Sequence, residues 1–131
     1  MLIGQRMKTS SAKSKGRRFQ QQLRNDLREL GQPHGLQDAD VESRSMGCNG
    51  EDVILSPAAR KLFDLYIEAK NVEKLNVPSV FWEHFEKYKA KNGLKVLAHS
   101  KNRSEPLATI RWVDFLTLIK PKDNVEPKQG L

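Results

Sequence analysis

An α/β domain, with a mixed central sheet flanked by helices, is what this 131-residue sequence predicts, and three features predict it. Phe19, Leu23, Leu27 and Leu30 recur at spacings of four, four and three, which aligns them on one stripe of a helix. Asp64–Lys70 alternates instead, with Leu65, Ile67 and Ala69 on one face and Asp64, Tyr66, Glu68 and Lys70 on the other. The two periods exchange along the chain in the order helix, strand, strand, strand, helix, strand, strand, helix, with no internal repeat.

Residues 1–13 are small, polar and basic and read as a flexible arm. Ser14 caps the first helix, which runs to about Leu30; Gly31 ends it and Pro33 bars its resumption. Gln20 falls at the border of the apolar stripe, with Arg17 and Arg24 farther round on the same side. A strand at Asp40–Ser45 leads into a loop with Gly47, Asn49 and Gly50, and Glu51–Ser56 reads as a second strand. Ser56-Pro57 starts a short helical turn through Ala58–Lys61. The third strand, Asp64–Lys70, offers one face to a core and the other to chemistry or solvent. After a polar connection at Asn71–Asn76, Pro78-Ser79 opens a second helix of about a dozen residues. Phe81, Phe85 and Tyr88 form its buried stripe and Gly93 terminates it. Strands at Lys95–His99 and Leu107–Trp112 flank a basic turn around Lys101 and Arg103. Val113–Ile119 is a short amphipathic helix using Phe115, Leu116 and Ile119, and residues 121–131 are a polar tail. The folded unit is therefore residues 14–120.

With 37% apolar and 30% charged residues, the chain supports one modest core under a charged surface. Cys48 is the single cysteine, so no disulfide forms within the chain and a reducing compartment is expected. No apolar run approaches the roughly 20 residues of a membrane span, and no signal-peptide stretch is present. The net charge of +7 is concentrated: residues 1–30 hold eight basic side chains against Asp26 and Glu29, +6 of the total. Lys13, Lys15, Arg17, Arg18 and Arg24 are the residues expected to meet a polyanion, since each neutralised phosphate releases counterions. Lys101 and Arg103 can extend that surface or merely solvate a turn.

Glu68 and Lys70 are two apart on an alternating strand and so project from one face. If the second and third strands are neighbours, Asp52 joins them there. Two adjacent carboxylates favour a hard divalent cation such as Mg²⁺. A lysine beside it can orient an attacking water and stabilise developing negative charge, the parts required for metal-assisted phosphodiester hydrolysis. Glu42 and Glu51 point elsewhere; His34, His84 and His99 lack metal-ligand spacing, and His84 reads as a packing or rim residue. Cys48 has no resolving partner, and Trp82 and Trp112 read as core or interface aromatics.

The order of these motifs resembles the PD-(D/E)xK nuclease superfamily, and within it the Holliday-junction resolvases of archaea and their phage relatives. Lys15-Gly16 ahead of the amphipathic helix, Arg44-Ser45, Asp52, Glu68-Ala69-Lys70 and the connection Lys74-Leu75-Asn76-Val77 carry the likeness, which spans about Lys15 to Ile119. It implies a restriction-endonuclease-like fold. It also implies that Asp52, Glu68 and the Ala69 carbonyl hold Mg²⁺, with Mn²⁺ as a substitute, while Lys70 assists the water. Arg44 and Ser45 would lie near the scissile phosphate. Gln20 stands four residues after Gly16, where the family normally has glutamate, so it would ligate only through a neutral oxygen or a bound water. The implied activity is paired nicking of four-way DNA junctions by a homodimer, in the cytoplasm of a prokaryote or a phage-infected cell. A nicking or DNA-degrading nuclease without junction preference, and a non-catalytic basic DNA-binding module, stay open as alternatives.

Overall fold

The computed structural model of the protein describes residues 2–44 and 50–123. Its elements run α1 (Leu2–Gly31), β1 (Val41–Ser43), β2 (Val53–Leu55), α2 (Pro57–Leu62), β3 (Leu65–Asn71), α3 (Val77–Tyr88), β4 (Leu94–Ser100), β5 (Leu107–Thr109) and α4 (Trp112–Ile119). The backbone is helical from Leu2, well ahead of the Ser14 start and through most of the predicted arm. No proline interrupts that stretch, and its Gln, Arg, Met, Lys and Ala residues are good helix formers.

Phe19 of α1 is buried, with Leu23 and Leu27 packed beside it, but Leu30 is exposed. The chain leaves the helix first: Gly35 adopts a positive φ of 88°, and the Leu36 N–H donates to the Gly31 carbonyl at 3.1 Å. That turn lays Leu36 against Gly31, where a Cβ would collide, and Leu36 packs on the core in place of Leu30. Arg28 adds a tie to the sheet by donating to the Val41 carbonyl at 2.8 Å.

β1 and β2 form an antiparallel hairpin, Val41 opposite Leu55. β3 and β4 pair in parallel, Leu65 opposite Leu94, with α3 as the crossover, and β5 adds antiparallel to β4. Among the described residues the hairpin reaches β3 through one backbone bond, from the Asp52 N–H to the Ile67 carbonyl at 3.1 Å. The molecule is thus a single small α/β domain with mixed strand pairing. Val41, Val53, Ala59 and Leu97 are fully buried, and Phe19, Leu55, Tyr66, Ile67, Phe81 and Ala98 are the other buried apolar residues among those described. Ser56 caps α2 by accepting the Ala59 N–H, and its hydroxyl donates to Asp40 at 2.7 Å, binding β2 back to the start of β1.

Two expectations about faces change. The second face of β3 is only partly open: α3 covers Tyr66, which is buried with Tyr88 stacked on its ring at 5.1 Å between centroids, while Glu68 and Lys70 stay partly exposed. Trp82 and Trp112 are exposed, which removes the core half of their reading as core or interface aromatics. The apolar side chains of α4, whose Phe115, Leu116 and Ile119 make the stripe of an amphipathic helix, face solvent, none of them buried. Among the described residues no helix is long and apolar enough to cross a membrane.

Candidate functional site

The hydrogen bond that assembles the site comes from the backbone. The Ala69 N–H donates to Asp52 Oδ2 at 2.7 Å. Asp52 precedes β2, and its own N–H and its carboxylate both engage β3, at Ile67 and Ala69 respectively. Its carboxylate is thereby pinned between the two residues, Glu68 and Lys70, whose side chains leave β3 on the α3 side. Lys70 Nζ lies 3.6 Å from Glu68 Oε1. The predicted trio therefore converges at the carboxyl-terminal half of β3.

Burial pushes the Asp52 carboxyl above its ordinary range; the Ala69 N–H pulls it back down, and the Glu68 charge pushes it up again.

α3 supplies the floor. His84 is 2% exposed, and its Nε2 lies 2.8 Å from the Tyr66 carbonyl. A carbonyl only accepts, so Nε2 carries the proton and donates. Nδ1 faces Glu68 Oε2 at 4.0 Å and is buried with no hydrogen-bond partner among the described residues. Tyr88 completes this wall: burial, then the Glu51, Glu68 and Asp52 carboxylates, raise its phenol above the ordinary value, against a smaller opposing effect of Arg44. Sequence reasoning passed over His84 as a packing residue. The signal was its place one helical turn before Tyr88 on the stripe that covers the Glu68 face.

A cationic belt flanks the carboxylates. Arg60, which the sequence did not single out, binds Glu51 at 3.3 Å and Asp64 at 3.1 Å and lies over the Tyr66 ring at 4.3 Å. Glu51, two strand positions from Val53, is spent on Arg60 and Arg44. Arg44 donates from Nε to the Glu51 carbonyl at 2.7 Å, and its own N–H reaches the Asp52 carbonyl at 2.9 Å, so it stands beside the site with its guanidinium turned toward Glu51. That guanidinium lies over Gly50, where a Cβ would come within 2.6 Å of it and where φ is 110°. Ser45 lies outside the described residues. Gln20 is half-buried next to Phe19 on α1, and among the described residues no hydrogen bond ties it to Asp52, Glu68 or Lys70.

Of the predicted DNA-contacting cations, Lys15 and Arg18 of α1 meet Lys101 and Arg103 of the β4–β5 turn across a groove of about 290 Å³. Asn71, next to Lys70, lines the same groove, and its side chain reaches the Lys15 carbonyl at 3.5 Å. Lys13 and Arg17 are exposed on α1, and Arg24 is half-buried, its Nε on Asn25 at 3.1 Å.

The site thus gathers two carboxylates, the adjoining Ala69 peptide and a buried imidazole nitrogen that has no hydrogen-bond partner among the described residues. Among the described residues no three His, Cys, Asp or Glu side chains already stand at ligand spacing, so such a set would have to close on an ion. No protein-family model matches the chain, and no curated protein or solved structure does either.

Proposed function

We propose that the protein is a divalent-cation-dependent DNA endonuclease with a restriction-endonuclease-like site, nicking four-way junctions as a pair of identical copies. One observation carries this reading: Asp52, held by the Ala69 N–H at 2.7 Å, lies against the strand that presents Glu68 and Lys70. Asp52 and Glu68 would hold Mg²⁺, or Mn²⁺ in its place, with the Ala69 carbonyl as a further oxygen donor. When bound, such an ion activates water and neutralises charge on a phosphodiester.

The chain's own residues supply the rest. Lys70 keeps 42% of its side chain exposed, so its ammonium can meet a phosphoryl oxygen or hold a water while it leans on Glu68. The basic face of α1 and the groove it shares with the β4–β5 turn bind backbone phosphates irrespective of sequence, which suits recognition by shape and charge. Cutting both strands of a junction symmetrically needs two such sites at a fixed separation. α4 leaves Trp112, Val113, Phe115, Leu116, Leu118 and Ile119 exposed on one short helix, a surface suited to a second copy.

The test is incubation with Mg²⁺ and matched four-way, linear duplex and single-stranded DNA. Paired nicks confined to the four-way substrate support the reading. Equal cutting of linear duplex points to a nuclease without junction preference. Salt-sensitive binding with no cutting of any substrate leaves only a DNA-binding module.

A further inference from the structure

We propose that His84 is a third donor of the cation site, its Nδ1 joining Asp52 and Glu68, so that the site takes imidazole-accepting ions such as Mn²⁺ and Zn²⁺ more tightly than Mg²⁺. The proposal rests on the reading of Asp52 and Glu68 as cation ligands and adds to it a nitrogen donor.

Three observations converge on Nδ1. His84 is 2% exposed, and a buried polar atom without a partner is rare enough to need a reason. Its other nitrogen is already committed: Nε2–H donates to the Tyr66 carbonyl at 2.8 Å, which in the neutral ring leaves the lone pair on Nδ1. A metal-binding histidine has this arrangement, with the far N–H held by a carbonyl that fixes tautomer and ring orientation. Finally, that lone pair faces Glu68 Oε2 at 4.0 Å. A lone pair and a carboxylate oxygen repel unless a cation or a proton lies between them. Two donors each about 2.1 Å from one ion stand at most about 4.2 Å apart, and about 3.0–3.4 Å apart at the usual angles. Bringing Nδ1 and Oε2 onto one ion therefore takes a shift of under about 1 Å between them, within reach of Glu68, whose side chain is 20% exposed. Imidazole ranks below oxygen for Mg²⁺ but suits Mn²⁺ and Zn²⁺ better, which gives the selectivity its direction.

The experiment is calorimetric titration of Mg²⁺, Mn²⁺ and Zn²⁺ into the wild-type protein, His84→Gln and Glu68→Gln, without DNA. Loss of even an outer-shell partner costs about 10–100-fold in metal affinity, so His84→Gln should weaken Mn²⁺ and Zn²⁺ at least about tenfold. Mg²⁺ should change far less, while Glu68→Gln abolishes all three. A second measurement needs no variant: Zn²⁺ added to wild-type protein labelled with ¹⁵N-histidine should move the Nδ1 resonance of one ring from a bare to a metal-bound nitrogen. Unchanged Mn²⁺ and Zn²⁺ affinity in a folded His84→Gln, or no Nδ1 response at saturating Zn²⁺, overturns the proposal. If Glu68→Gln still abolishes binding in that case, the carboxylate site stands without the histidine. Cation affinity unaffected by Glu68→Gln overturns both.

Discussion

Asp52 gives up solvation to accept the Ala69 N–H, and that burial, reinforced by Glu68, holds its carboxyl above the ordinary range. The folded chain therefore binds this proton more tightly than the unfolded chain does. Between the ordinary and the raised value, stability falls as pH rises; above the raised value, the ionised group weighs against the fold. Asp52→Asn keeps an oxygen for the Ala69 N–H and removes the charge. In cation-free buffer it should melt a few degrees above wild type near neutrality, and the gap should shrink as pH is lowered into the ordinary aspartate range. Thermal melts of both proteins across that range check this, and a gap that does not narrow contradicts it. The trio Asp52, Glu68 and Lys70 was legible because strand alternation fixes which side chains share a face. His84 and Arg60 were not, because their roles depend on which helix covers that face, and no local spacing encodes it.

At the scale of elements, β3 decides the site. Its parallel pairing with β4 puts the carboxyl ends Asn71 and Ser100 side by side, and both line the groove between α1 and the β4–β5 turn. Lys70 and Asn71 leave the strand on opposite faces, so the proposed cation site and the basic groove sit back to back across one sheet edge. Arg103 holds a positive φ of 60° at that turn, a conformation in which glycine is at ease. Lys101→Ala with Arg103→Gly thus removes two charges without strain. DNA affinity should fall, and the slope of log affinity against log salt should flatten by about 2, measured by fluorescence anisotropy. An unchanged slope would take the groove out of the DNA path. Most strand and helix identities were readable from period and punctuation: Ser56-Pro57 marks α2, which the Ser56 side chain caps, whereas Asn76 caps α3 just ahead of the Pro78-Ser79 signal and Trp112, read as strand, starts α4. The true start of α1 was not, since a polar, basic stretch without proline is compatible with both arm and helix. Leu30 misled for a different reason: the helical stripe carries on past the point where the Gly35 turn brings Leu36 into its place.

For the whole molecule, the uneven distribution of surface matters most. Positive charge gathers on α1, while α4 leaves all its large apolar side chains 41% or more exposed. Its amphipathic stripe left the partner open, because a core face and an interface share one pattern. Leu118 and Ile119 are 63% and 57% exposed, so Leu118→Glu with Ile119→Glu should leave the fold intact. Sedimentation equilibrium should then give twice the chain mass for wild type and a single chain for the variant; a monomeric wild type contradicts the paired arrangement. The central claim concerns the cation grip of Asp52 and Glu68 beside Lys70, and it is met most directly by junction cleavage with Mg²⁺ in wild type and Asp52→Asn. Wild type should release paired nicked products, and Asp52→Asn should bind the same junction as tightly and cut none of it. Cutting that survives the substitution would contradict the account.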